Sequence, residues 1–277
     1  MRFPEDLRIL PKGVIAIAGG SGGMGRTMAK LLKPTGASIR LCGRSVEKAK
    51  RAAKRMGLDH GGLEDVHDAE ILVLAVPFEE VVNVYERVAG RLSPRALIVD
   101  IASVKTPLVG HLSKLLGVGM EYLSLHPLFG PSTRRFKGQR MLAVDVKVGG
   151  KSKLLKEYFK KLGLIVTETT ADEHDRMMAI AQVAHHFSMM SLLRVLVEHP
   201  LPSGFTSRSL HETVLRLRRM GKGVRTMLEI QRYNPYAAEM RRRYVETASR
   251  LSAMDDQAVE AVMDGLRRLR EHPLNQP

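Results

Sequence analysis

The run Gly20-Ser21-Gly22-Gly23-Met24-Gly25 constrains this chain more than any other feature. It lies between a continuous apolar stretch at 13–18 and a helical pattern at 24–32. Glycines at 20, 22 and 25 fit the spacing G-x-G-x-x-G. That spacing needs residues without side chains, both for a tight strand-to-helix turn and for close approach of the backbone to a pyrophosphate. A strand directly before and a helix directly after aim the free N–H groups of the helix start at an anion. The whole turn, with Ser21, Gly23 and Met24, therefore reads as a dinucleotide phosphate site. The second strand, 37–42, ends on Gly43-Arg44-Ser45, where an acid would bind ribose hydroxyls. Arg44 can instead pair with a 2′-phosphate and Ser45 adds a hydroxyl at a helix start, so NADP is the expected cofactor. Pro77, closing an apolar strand at 71–76, is assigned to the same cofactor site.

The alternation continues. A basic helix runs from Ser45 to near Gly57, and helical periodicity spans 78–92. Strands are expected at 96–100, 121–125, 141–148 and 164–168, with a helix at 151–162. Units of this spacing require a mostly parallel sheet covered by helices on both faces. After Thr170 the pattern becomes long and helical, broken clearly only at 200–204 and 234–235. The expected fold class is α/β: a doubly wound Rossmann dinucleotide-binding domain over 1–170, then an all-helical domain over 171–277.

Composition excludes more than it assigns. The 277 residues carry a net charge of +15, but the basic residues are scattered over helical segments and aromatics are few, which reads as a solvated surface rather than a nucleic-acid site. The longest apolar segment, 177–197, is interrupted by His185, His186 and Arg194 and is expected to be a buried helix rather than a membrane span. A single cysteine, Cys42, and the absence of a signal peptide point to a reducing cytoplasm. No cluster has metal-ligand spacing.

Two strand ends bear chemistry. The strand at 96–100 stops at Ile101-Ala102-Ser103-Val104-Lys105, and the one at 121–125 stops at His126-Pro127-Leu128-Phe129-Gly130-Pro131. Pro127 forbids regular continuation, which places His126 just past the strand. In open α/β sheets ligands bind beyond the carboxyl ends of strands. A hydroxyl, an ammonium and an imidazole delivered there read as a redox site next to a nicotinamide.

These segments, together with Glu173-His174-Asp175-Arg176, Gln182 and His186-Phe187, resemble the prephenate dehydrogenase family. Glu229-Ile230-Gln231 and Asn234-Pro235 resemble the C-terminal region of its archaeal-type members, and the likeness covers roughly 13–245. The resemblance implies oxidation of the ring hydroxyl of prephenate or arogenate, with hydride transfer to the nicotinamide and loss of the ring carboxylate, on the way to tyrosine. It makes His126 the base and Ser103 the residue that binds the substrate hydroxyl, orients His126 and adjoins the cofactor. Lys105 either supports the site or is a solvated lysine.

From the helical domain the resemblance implies substrate contacts by Gln182, His186 and an arginine. Counting back from Glu229-Ile230-Gln231 places that arginine at Arg218, with Arg216 and Arg219 as neighbours. Leu217 replaces the family's glycine, and Gly223-Val224 its Asn/Asp-Pro segment. Asp175 is expected as a first-turn charge complementing the helix dipole. Long apolar helices, and the resemblance, imply a homodimer through the helical domain. Two other readings remain: a β-hydroxyacid or imine reductase, and a non-catalytic NADP-binding regulator. The first calls for a helical-domain lysine, yet none lies between Lys161 and Lys222. The second leaves Ser103 and His126 without a purpose.

Overall fold

The computed structural model describes residues 13–271. The chain divides into two compact units, one running through Met177 and including Leu228–Pro235, the other comprising Met178–Met227 and the chain from Tyr236 onward.

In the first unit, strands β1 (Val14–Ala18), β2 (Ser38–Cys42), β3 (Asp59–Gly61), β4 (Ile71–Leu74), β5 (Leu97–Asp100), β6 (Glu121–Pro127), β7 (Arg140–Lys147) and β8 (Ile165–Thr169) form one sheet of order β3-β2-β1-β4-β5-β6-β7-β8. All neighbours are parallel except β6 and β7. The helices are α1 (Gly23–Leu32), α2 (Val46–Met56), α3 (Val81–Ala89), α4 (Thr106–Leu115), α5 (Gly150–Lys161) and α6 (Ala171–Met178).

Strand residues alternate between the faces. Ile15 and Ile17 join Met28 and Leu31 in one core, whereas Ala16 and Ala18 join Val81, Val84 and Tyr85 in the other. Each large apolar side chain fully buried there contributes roughly 1.5–3 kcal/mol. Two such layers explain why β4 and β5 read as unbroken apolar runs. After β1 the chain builds β2 and β3 on one side, then crosses to β4 on the other. This reversal opens the crevice beyond the carboxyl ends of β1 and β4.

Four local expectations change. The expected helix at 78–92 splits into a 3-10 turn, Phe78–Glu80, and α3. Helix α4, which starts on Thr106-Pro107, and the short β3 were not anticipated. Strand β6 also continues through Pro127. Proline is tolerated there because Leu128 resumes the ladder, donating to the Arg140 carbonyl at 3.0 Å.

In the second unit a π-helical stretch, Ala179–Ala184, carries α6 into α7 (His185–Glu198), followed by α8 (Arg208–Met220), the start of α9 (Val224–Tyr233), whose part from Leu228 on belongs to the first unit, and then α10 (Ala237–Ser252) and α11 (Asp256–Glu271). The apolar segment expected to be buried is not. Ala179 and Val183 are covered, but Ile180, Leu193, Val195 and Val197 are exposed. No residue of α7 is buried. By length and composition alone Ala171–Glu198 could cross a membrane, and 6% of its most apolar window is buried.

Candidate functional site

The glycine turn is built for close approach. Gly19, one residue before the motif, has the left-handed backbone (φ +79°) that reverses the chain, and its N–H donates to the Cys42 carbonyl at 2.9 Å. A Cβ on Gly25 would stand 2.4 Å from the Gly19 carbonyl oxygen, and one on Gly20 would stand 2.8 Å from Leu41 Cβ. Gly22 caps α1, and the first helical bond runs from Arg26 N–H to Gly22 O. The N–H groups of Gly23, Met24 and Gly25 therefore have no intrahelical acceptor. With no acidic residue in the first turn, this cradle suits a pyrophosphate. Ser21 is half-buried in the same turn.

Arg44 is exposed in the loop between β2 and α2. Ser45 caps α2, its Oγ accepting from Lys48 N–H at 3.3 Å. Pro77 is half-buried after β4. The parallel register brings the carboxyl ends of β1, β4, β5 and β6 to one edge, and with them the glycine turn, Pro77, Ser103 and His126. The loop after β6 closes against the turn: a Cβ on Gly23 would lie 2.9 Å from Pro131 Cβ.

His126 lies inside β6, opposite Leu142, rather than past the strand end. It is 3% exposed. Its Nδ1 is 2.9 Å from Nε2 of His174, whose Nδ1 is 2.8 Å from Asp175 Oδ1. Asp175 is not the first-turn dipole charge expected: α6 starts at Ala171, and its first-turn acids are Asp172 and Glu173. Asp175 is fully buried and accepts from the N–H groups of Lys105 (2.9 Å) and Thr106 (2.7 Å).

The alternatives for Lys105 also resolve. It is fully buried, and its Nζ donates to Asp100 Oδ1 at 2.9 Å and to the carbonyl of Leu125 at 2.7 Å, the residue before His126. Tyr122 donates to the other Asp100 oxygen at 2.8 Å. Ser103 is half-buried two residues earlier and has no side-chain hydrogen bond to His126 among the described residues.

Burial, His174 and the Lys105 ammonium hold His126 well below the usual imidazole range. Burial also lowers His174, against the opposing pull of Asp175. For Asp175 burial pushes upward, but the bonds from His174, Thr106 and Lys105 prevail and hold its carboxyl below the ordinary value. Burial lowers Lys105, with Asp100 opposing. The outcome is a neutral imidazole near pH 7 with Nδ1 engaged and Nε2 open.

The sequence reading missed His174, Asp175 as a buried acceptor, Asp100 and Tyr122. The only signal was Glu173-His174-Asp175 itself, three titratable residues side by side near a helix start. Gln182 and His186 lie half-buried in the helical unit, where Gln182 Oε1 and His186 Nδ1 are buried atoms without a hydrogen-bond partner among the described residues. Arg216, Arg218 and Arg219 are exposed on α8, with Leu217 the buried residue between them.

Sheet order, glycine turn and helix start together define a dinucleotide-binding dehydrogenase fold. The chain belongs to the prephenate dehydrogenase family, whose nucleotide-binding domain matches residues 28–183. It is 26% identical over 248 residues to the probable arogenate/prephenate dehydrogenase of Methanocaldococcus jannaschii, covering 86% of this chain and 56% of that protein. It is 28% identical over 186 residues to the 4-amino-4-deoxyprephenate dehydrogenase of Streptomyces pristinaespiralis, covering 65% and 62%. The chain thus spans little more than half the length of these curated relatives. The fold matches prephenate dehydrogenase from Aquifex aeolicus, crystallised with hydroxyphenyl propionate and NAD+, with a TM-score of 0.76 at 19% identity over 94% of this chain and 98% of that one.

Proposed function

We propose that this protein oxidatively decarboxylates prephenate or arogenate on the tyrosine route, with NADP as hydride acceptor. The observation behind this reading is His126, neutral and held through Nδ1, on the same sheet edge as the glycine turn and Ser103.

Nε2 of His126 takes the proton of the substrate's ring hydroxyl, and the oxygen's electron pair forms a carbonyl as hydride departs from the same carbon. A bound nicotinamide ring supplies the hydride acceptor; Gly20, Ser21, Gly22, Gly23, Met24 and Gly25 would hold its pyrophosphate, with Pro77 beside it. The ring carboxylate then leaves as carbon dioxide. Its bonding pair aromatises the ring, and the proton on His126 is available to the phenolic oxygen. Ser103 offers its hydroxyl to the substrate, and Gln182, His186 and Arg218 are the proposed partners of the two carboxylates. Homodimerisation through the helical unit would cover the exposed face of α7. A reducing cytoplasm suits the lone, buried Cys42.

The test is NADPH formation with prephenate and, separately, arogenate, using the unaltered protein and His126→Asn. Turnover should drop by about two to four orders of magnitude in the variant, with NADP affinity retained. Near-normal activity of His126→Asn across neutral pH would overturn the chemistry. Parallel alanine variants of Arg216, Arg218 and Arg219 test carboxylate binding: a strong KM increase is expected for Arg218, and no increase in any of the three would remove this helix from substrate recognition.

A further inference from the structure

We infer that His174 and Asp175 fix the tautomer of His126, keeping the ring proton on Nδ1 and leaving Nε2 as a permanently available lone pair. This rests on the proposed role of His126 as base and names the residues that make it one.

The argument starts from Asp175, the acceptor end of the chain. Its two oxygens take the N–H groups of Lys105 and Thr106 and the Nδ1 of His174, at 2.9, 2.7 and 2.8 Å. A fully buried carboxyl receiving three such contacts is ionised and can only accept. His174 Nδ1 must therefore donate. A neutral imidazole has one N–H, so His174 Nε2 is bare and acts as acceptor. The nitrogen 2.9 Å away, Nδ1 of His126, must in turn donate. Of the two bare nitrogens in this line, His174 Nε2 is taken up by His126, which leaves Nε2 of His126 with the free lone pair. Each assignment forces the next, and none uses the substrate.

The reverse arrangement would put a proton on Asp175 or leave two bare nitrogens facing each other at 2.9 Å. In an uncharged histidine in water the proton moves freely between the two nitrogens, so an unconstrained His126 would present N–H to the substrate for much of the time. That form cannot accept a hydroxyl proton. After proton uptake the imidazolium charge also gains from the line His174–Asp175. His174 touches neither the substrate nor the cofactor in this scheme and is a positioning residue.

The ionisable groups around the relay come from several elements: Asp100 from β5, Lys105 from the turn before α4, Tyr122 from β6, and His174 with Asp175 from α6. The Lys105 ammonium opposes protonation of both rings. This guards the neutral forms on which the proton order depends.

The experiment is long-range 1H–15N correlation spectroscopy of the full chain with 15N-labelled histidine, near neutral pH and without ligand, which reads the tautomer directly. His126 should show a bare Nε2 and a protonated Nδ1, and so should His174. A protonated Nε2 on His126 in the unaltered protein would overturn the inference. In His174→Leu the His126 signals should shift towards the opposite tautomer, and kcat should fall about 100-fold with KM little changed. His174→Gln, whose amide can accept from His126 and donate to Asp175, should restore much of the loss. A His174→Leu protein that keeps both the tautomer and kcat would also overturn it. Should that variant fail to fold, Asp175→Asn gives the same tautomer readout. If the spectra agree but neither prephenate nor arogenate is turned over, the relay stands and the proposed reaction is what has failed.

Discussion

Asn234 donates from Nδ2 to the backbone carbonyl of Asp175 at 2.8 Å, tying the end of α9 to the residue that terminates the His126–His174–Asp175 line. The segment Leu228–Pro235 belongs to the sheet unit although both its flanks belong to the helical one. Its hold is made of several contacts. Ile230 and Asn234 are buried, Tyr233 stacks on Phe78 with ring centroids 4.7 Å apart, and the Tyr233 hydroxyl donates to Glu79 at 2.8 Å. Asp175 is thereby fixed from two sides, by the Lys105–Thr106 backbone at its carboxylate and by Asn234 at its carbonyl.

Removing the Asn234 amide leaves a buried carbonyl without that donor, which costs about 1–3 kcal/mol. Asn234→Ala should lower unfolding stability by that amount in urea titration. It should also reduce kcat while NADP affinity stays near normal, because the glycine turn is untouched. Unchanged stability and unchanged kcat together would show that α9 plays no part in holding Asp175.

Lys105→Met tests the buried pair with Asp100. The methionine fills the space but leaves Asp100 ionised, buried and short of its counter-charge. Breaking such a pair from one side costs about 3–5 kcal/mol. The loss should be read by denaturant unfolding at neutral pH. It should be smaller in the double variant Asp100→Asn with Lys105→Met, where no uncompensated charge remains. Equal losses in the single and double variants would show that packing, not charge, dominates.

Much of this was legible in the residues, and the division has a physical cause. The glycine spacing, the apolar strands β1, β4 and β5 and the Ser103 and His126 strand ends are local patterns, because a turn or strand declares itself over a handful of neighbours. The His126–His174 and Lys105–Asp175 contacts join positions 48 and 70 residues apart. No periodicity reports them. Asp175 at a helix start has the same sequence signature whether it faces water or receives two backbone N–H groups. The expected strand at 121–125 stops two residues short of the end of β6, because Pro127 ordinarily ends a strand, whereas here the ladder resumes at Leu128. The exposed α7 was misjudged for a different reason: apolar content measures what a helix can bury, not whether one copy of the chain supplies the cover.

Stability should decline on mild acidification, from the histidines. His126 and His174 are held below the ordinary imidazole value, chiefly by burial. The unfolded chain takes up these protons near pH ~6.5, and the native state only at lower pH. Between those points the unfolded state binds more protons, so stability falls as pH drops through that window and is full above it. The melting temperature should be lower at about pH 5.5 than at about pH 7.5, and His126→Asn should show a shallower slope. A melting temperature that rose on acidification would mean that these histidines are charged in the native state.

Cofactor choice should follow Arg44. It is exposed just beyond Cys42 at the end of β2, the point where an acid would bind the ribose hydroxyls of NAD. The neighbouring Ser45 Oγ accepts from Lys48 N–H, capping α2, which leaves its O–H free to donate, but Arg44 is the charged group at this strand end that can meet a 2′-phosphate. A hydrogen bond to a charged group contributes about 1.5–3 kcal/mol, which corresponds to roughly a ten- to hundredfold preference. We therefore expect kcat/KM for NADP to exceed that for NAD by about this factor. Arg44→Asp should remove or reverse the preference through the NADP value, with kcat on NAD little affected, since the proposed base His126 stands on β6 and Arg44 just beyond β2. Equal efficiency with both cofactors in the unaltered protein would sink the assignment. A preference for NADP that survived Arg44→Asp would move the 2′-phosphate contact to another basic side chain.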